Sequence, residues 1–303
     1  MILRIAQSFI STSEKNLLEQ IMNYGSMTHY DFLHVATWQD DLKDYSKFKG
    51  MSNWHFMDNP VVRTEKKVNL IEPSYNISGY LLQSFETIQD KTTTHPWALA
   101  FHLRSIIHFV GDVHTPHHNC MLYDDDHLSG DYGGNSYYLN CEYGSACNNI
   151  HFLWDSVGLK YPITDPTIPR YLDEFEKNYS LIIEQFPKSY FTDKKYDLES
   201  LKPLDWNDES YQYCVMYGYN TTQQARPSDE YFKLVQDRGA ERVALAGYRL
   251  GYILRYILDN MELPSYGNNT TTILEIVFWI LDVACVTIIV IFAILLRKKL
   301  KLS

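Results

Sequence analysis

Apolar residues recur at helical spacing along most of the chain, and no segment alternates apolar and polar positions long enough to argue for a sheet. The pattern predicts a first helix from about Leu3 to Met22, carrying Ile5, Phe9, Leu17, Leu18, Ile21 and Met22. A second covers roughly Asn76 to Asp90. A third runs from Trp97 to about Val113, where Pro116 forbids continuation. Further helices are expected at Pro169 to Phe186, Trp206 to Met216 and Tyr231 to Met261, the last with Val243, Ala246, Leu250, Ile253 and Ile257 on one face. Tyr137 to Leu139, beside Gly133 and Gly134, reads as a short strand. The expected class is all-α, with one domain over residues 1–265.

The most apolar run lies near the C-terminus. From Ile273 to Leu296 only Glu275 and Asp282 are charged. Twenty-four residues in a helix cover ~36 Å against a hydrocarbon core of ~30 Å, so the run reads as one transmembrane helix. Residues 266–272 form a tether before it, and the basic tail at 297–303 (Arg297, Lys298, Lys299, Lys301) is cytoplasmic by the positive-inside rule. The expected topology is therefore single-pass type I, with the domain extracellular or lumenal. Sequons at Asn76, Asn178, Asn220, Asn268 and Asn269 agree with that side of the membrane. Four of the five cysteines lie in the domain, an even number suited to an oxidising compartment. Cys141 and Cys147 can close a small loop, which leaves Cys120 with Cys214, free thiols being the alternative. The opening residues MILRIAQSFIS lack the basic, apolar and cleavage regions of a signal peptide. The expectation is an N-terminus truncated upstream, the alternative being insertion directed by the C-terminal helix alone.

Composition narrows the function. A hydrophobic content of 45% is ordinary for a globular protein, whereas a formal charge of −10 argues against holding nucleic acid through a broad basic face. Affinity for phosphate must be local, and bound dications would reverse the local sign.

The histidines point to such a site. Seven of the eleven fall between His95 and His127, and HFVGDVHTPHH packs four into eleven residues. His108 and Asp112 stand four apart on a helix and face the same way, as do His151 and Asp155 in NIHFLWD. His118 follows the turn at Pro116, while Asp40 in ATWQD and His55 with Asp58 in NWHFMD add matching donors upstream. Nitrogen and oxygen ligands without thiolate suit zinc in a hydrolytic role, although ligand type alone also admits manganese or iron. His95, His102, His114, His117 and His127 are expected to be structural or solvent-facing, and Asp124 to Asp126 a solvated loop.

At these residues the chain resembles the zinc-dependent single-strand-specific nucleases and 3′-nucleotidases, the class I nucleases of fungi, plants and trypanosomatids, whose helical fold is shared with zinc phospholipase C. The resemblance runs over most of residues 1–262. Its motifs are IAQSF at Ile5 to Phe9, VATWQD ending at Asp40, WHFMD at Trp54 to Asp58, HFVGDVHTPHH at His108 to His118, GGN at Gly133 to Asn135, NIHFLWD ending at Asp155, and RVALAGYRLG from Arg242. It implies one Zn2+ held by Asp40, His55 and His108, with Asp112 bridging to a neighbour, and another held by His118, His151 and Asp155. It places Lys43 near the phosphate, Asp58 near the attacking water and Asn135 against substrate.

The implied activity is an endonuclease and 3′-nucleotidase, a phosphodiesterase yielding 5′-nucleotides from single-stranded DNA and RNA. Up to three zinc ions are expected. The third is completed in the family by an N-terminal Trp and a His just after it, and this chain begins just inside that His. A lipid-cleaving phospholipase C and an inactive surface-binding homologue are the alternatives; base preference and oligomeric state are not legible.

Overall fold

A computed structural model describes residues 1–25, 29–43, 46–71, 75–89, 95–141, 147–161 and 169–260. The helical class holds. In chain order the helices are α1 (Ile2–Ala6), α2 (Thr12–Met22), α3 (Trp38–Lys43), α4 (Ile77–Gln89), α5 (Pro96–His114), α6 (Ile150–Asp155), α7 (Pro169–Gln185), α8 (Lys188–Asp193), α9 (Pro203–Tyr213) and α10 (Asp229–Asn260). Two three-residue strands, β1 (Pro60–Val62) and β2 (Met121–Tyr123), pair in parallel with Val61 opposite Leu122. The predicted tether, the membrane helix 273–296, the basic tail, Asn268 and Asn269 lie outside the described residues. Among the described residues no helix is long and apolar enough to cross a membrane.

The single helix expected over Leu3–Met22 is in fact two. Ser11 is extended, and a capping box restarts the helix: the Ser11 hydroxyl accepts from the Glu14 amide at 3.3 Å while the Ser11 amide donates to the Glu14 carboxylate at 2.8 Å. A local competitor for backbone hydrogen bonds thus overrides continuous periodicity. The strand expected at Tyr137–Leu139 is only a bridge between Tyr138 and Asn149. The pair that does form, β1 with β2, joins the segment after His55 to the segment after His118. It is reinforced by Met57 N–H to the His118 carbonyl at 2.7 Å and Met121 N–H to the Asn59 carbonyl at 2.9 Å.

Helix α5 is the axis of the domain. His95 caps it, Pro96 occupies the first turn where no amide partner is lost, and almost every residue from Leu103 to Val110 is buried. Helix α10 closes the core behind it. Short α1 crosses α10 where Gly247 and Gly251 stand; a Cβ on Gly247 would lie 2.6 Å from Ile5 Cβ, and one on Gly251 2.4 Å from Phe9 Cδ2. No larger residue admits that approach. Disulfides join Cys120 with Cys214 and Cys141 with Cys147. The first ties the end of the α5 turn to the end of α9. Of the described sequon asparagines, Asn220 is exposed and Asn76 half-buried. Asn178 is buried within α7, so a glycan there has no room without displacing its neighbours.

Candidate metal centre and active site

A cavity of about 1050 Å³ opens onto all seven predicted ligands together with Lys43 and Asn135. The ligands arrive from five separate pieces of chain. Asp40 comes from α3, His55 from the turn before β1, His108 and Asp112 from successive turns of α5, His118 from the turn after Pro116, and His151 and Asp155 from α6. Donor atoms of Asp40, His55 and His108 lie within 4.8 Å of one another, as do those of His118, His151 and Asp155. Asp112 stands between the groups: its Oδ2 is 3.0 Å from His55 Nδ1, 3.1 Å from His108 Nε2 and 3.7 Å from His118 Nδ1. Asp155 faces His118 and His151, each at 3.3 Å.

The imidazoles are oriented from behind. His108 donates Nδ1–H to the Ala36 carbonyl at 2.6 Å, His118 to the His55 carbonyl at 2.7 Å, and His151 to the Gly133 carbonyl at 2.8 Å. A carbonyl only accepts, so each Nδ1 carries the proton and each Nε2 is left as a lone-pair donor facing the cavity. His55 is reversed, with Nδ1 toward Asp112 and a buried, unpartnered Nε2.

Charge in the site is held by protons. Burial works against charging His118, but Asp112 and Asp155 overcome it and push it up to about 10. His108 is raised in the same way, chiefly by Asp112 against burial. Burial would raise Asp112 and Asp155, yet the facing histidines hold both below the usual carboxylate range. Burial lowers His55. Two carboxylates on the cavity held ionised by facing positive charge, with three Nε2 atoms locked toward the cavity that offer lone pairs once any proton there is displaced, form a donor set that fits divalent cations.

Lys43 reaches Asp40 at 2.6 Å on the cavity wall. Asn135 donates to the Tyr132 carbonyl at 2.8 Å, leaving its amide oxygen free to accept. Asp58 does not line the cavity. It sits behind the wall, where burial, with Asp131 adding, pushes it up to about 7 against His118 and His151. Of the five histidines expected to be structural or solvent-facing, His114 bonds the Val110 carbonyl and Arg249, and His102 bonds Ser84. His117 groups with Cys120 and Cys214, but those sulfurs are tied in a disulfide and are not ligands.

Sequence reasoning passed over Asp131. This fully buried carboxylate accepts from the Leu122 amide at 2.9 Å and the Tyr219 hydroxyl at 2.8 Å, and so shapes the loop whose Gly133 carbonyl orients His151. The available signal was an acid directly preceding Tyr-Gly-Gly.

The family model described as S1/P1 Nuclease matches residues 1–259. The chain belongs to the S1/P1 nuclease family. It is 24% identical over 251 residues to Endonuclease 4 of Arabidopsis thaliana, covering 76% of this chain and 78% of that one. It is also 24% identical over 262 residues to Nuclease S1 of Aspergillus oryzae, covering 81% and 85%, and 21% identical over 280 residues to Endonuclease 1 of Arabidopsis thaliana, covering 85% and 84%. The S1/P1 match spans all seven candidate ligands, and the chain is a hydrolytic nuclease acting on nucleic acid.

Proposed function

We propose that this S1/P1 nuclease is a zinc phosphodiesterase that cuts single-stranded DNA and RNA to 5′-nucleotides and releases 3′-phosphate from 3′-nucleotides. One observation carries the reading: two His/Asp donor groups meet at the shared carboxylate of Asp112, with Nε2 of His108, His118 and His151 freed by backbone carbonyls. Asp40, His55, His108 and Asp112 would hold one ion, and His118, His151 and Asp155 another. When bound, zinc supplies positive charge at a phosphate and lowers the pKa of a water toward ~7. Lys43 adds a cation beside them, able to leave Asp40 for a phosphate oxygen. Asp58, with its pKa near 7, can hold or pass a proton at neutral pH from behind the wall. Asn135 orients the substrate by its amide oxygen. The two disulfides support an oxidising location, hence a domain outside the cytoplasm anchored through 273–296.

The test measures bound zinc by elemental analysis, and turnover of single-stranded DNA and RNA, duplex DNA, a 3′-nucleotide and a phosphatidylcholine headgroup before and after chelation. Loss of single-strand cleavage on chelation and its return with zinc is the expected result. Undiminished cleavage by metal-free protein refutes the zinc reading. Preferential headgroup release would make the protein a phospholipase C, and no turnover with zinc fully loaded would make it a binding homologue.

A further inference from the structure

The ligand-bearing side of α5 does not end at the metal site. His108 and Asp112 share it with Ser105, Phe101 and Trp97, spaced at three and four residues back toward the helix start. Trp97 is 51% exposed, in the first turn, where burial would be the default for so large an apolar ring. Its ring stacks on Phe101 at 5.3 Å and 23°. Phe101 is packed edge-on by Trp38 at 5.4 Å and by Trp54 at 6.5 Å. Trp54 stacks on Tyr80 at 4.5 Å and 19° and directly precedes His55. Trp38 in turn carries the Arg104 guanidinium 4.2 Å over its face and is two residues from Asp40. The other edge of Trp97 lies close against Gly25, where an added Cβ would fall 3.1 Å from Trp97 Cδ1. An unbroken aromatic array therefore runs from the metal ligands to one braced, half-exposed indole.

We infer that Trp97, backed by Phe101, is a second binding site, a stacking platform for an unpaired base of the same nucleic-acid strand whose phosphate lies at the metal centre. The inference rests on the single-strand nuclease reading. Eleven residues of helix separate Trp97 from His108, ~16 Å along α5, a distance an unstacked strand spans in a few nucleotides. A rigid indole suits that role because every base has a π-face, so affinity rises with strand length without sequence preference. A net charge of −10 disfavours holding the rest of a strand by a broad cationic surface, and stacking supplies length-dependent affinity without one.

The experiment uses the zinc-loaded full chain and cleavage-resistant phosphorothioate oligothymidylates of two and twelve nucleotides, with binding read by anisotropy. Cleavage of the ordinary oligomers is followed alongside. Trp97→Ala should weaken the twelve-mer about tenfold, in line with the loss of one stacked base, and leave the two-mer and its cleavage unchanged. Trp97→Tyr should keep most of the long-strand affinity, and unchanged thermal midpoints exclude misfolding. Equal effects of Trp97→Ala on both lengths, or no effect on either, overturn the platform. So does loss of binding to phosphatidylserine vesicles with the twelve-mer unaffected, which would assign the face to lipid. If the wild type binds the twelve-mer through Trp97 but cuts nothing, the nuclease reading falls and the platform stands. If it binds neither oligomer, both fall.

Discussion

Gly134 couples the fold to the metal centre, and alanine there exposes the coupling. Its φ is +88°, a region that side chains rarely adopt, and an added Cβ would lie 2.6 Å from Ile150 Cγ2, 2.9 Å from His117 Nδ1 and 3.3 Å from the His151 amide nitrogen. Left-handed backbone costs a residue with a Cβ about 1–2 kcal/mol, and forcing a methyl into a packed interior about 1–3 kcal/mol. Together they predict a loss of roughly 2–5 kcal/mol, a fall in Tm of roughly 5–15 °C for a domain of this size. The loop also carries the Gly133 carbonyl that orients His151, so zinc affinity at the His118/His151/Asp155 group should fall about 10–100-fold, the usual effect of disturbing a ligand's supporting hydrogen bond. Scanning calorimetry gives the first number and zinc competition against a chromogenic chelator the second. Gly50→Ala, where nothing lies within 4 Å, is the control. Should Gly134→Ala match Gly50→Ala in both measurements, the claimed link between this loop and the ligand set is wrong.

Three further predictions test the frame around the site. Burial holds His117 down to about 3, so the unfolded chain takes up its proton first as pH falls below 6.5, and stability declines between there and pH 3. Roughly 2 kcal/mol should vanish by pH 5, and urea titrations should show a shallower slope for His117→Gln; identical slopes would discard the idea. Replacing Cys120 and Cys214 by serine opens a loop with a separation of 94 residues and should cost about 4–5 kcal/mol in urea unfolding, while removing Cys141–Cys147 costs less. Arg249 is 1% exposed and donates twice to Glu209 at 2.7 Å, so Arg249→Met strands a carboxylate and should lose about 3–5 kcal/mol in the same assay; a change under about 1 kcal/mol would mean Arg242 alone suffices.

Much of the site was legible because helical spacing is a strong constraint. Two donors four apart on a helix have one direction to point, which is why His108 with Asp112 and His151 with Asp155 could be paired from spacing alone. Asp40 and His55 have no such local logic; they reach the centre through α3 and through the parallel β1–β2 pair, a contact between residues 61 apart that three-residue strands cannot announce. The outer shell was invisible for another reason. Carbonyls of Ala36, His55 and Gly133 orient the imidazoles, and every residue owns a carbonyl, so side-chain identity carries no trace of the role. The break at Ser11 was readable, since Ser-x-x-Glu is a start signal, but the apolar run on either side outweighed it.

The crossing of α1 over Gly247 and Gly251 has a bearing on biosynthesis. Ile5 leaves the ribosome roughly 240 residues ahead of its seat on α10, an interval of about 10–50 s at ordinary elongation rates. Throughout that time Leu3, Ile5 and Ala6, all buried in the finished domain, lack the α10 half of their seat, although Val157, Ile182 and Phe186 of the same core cluster emerge earlier. Helix α1 completes its burial only when α10 arrives, and a nascent chain stalled before Asp229 would present the uncovered face of α1 to whatever chaperones attend it.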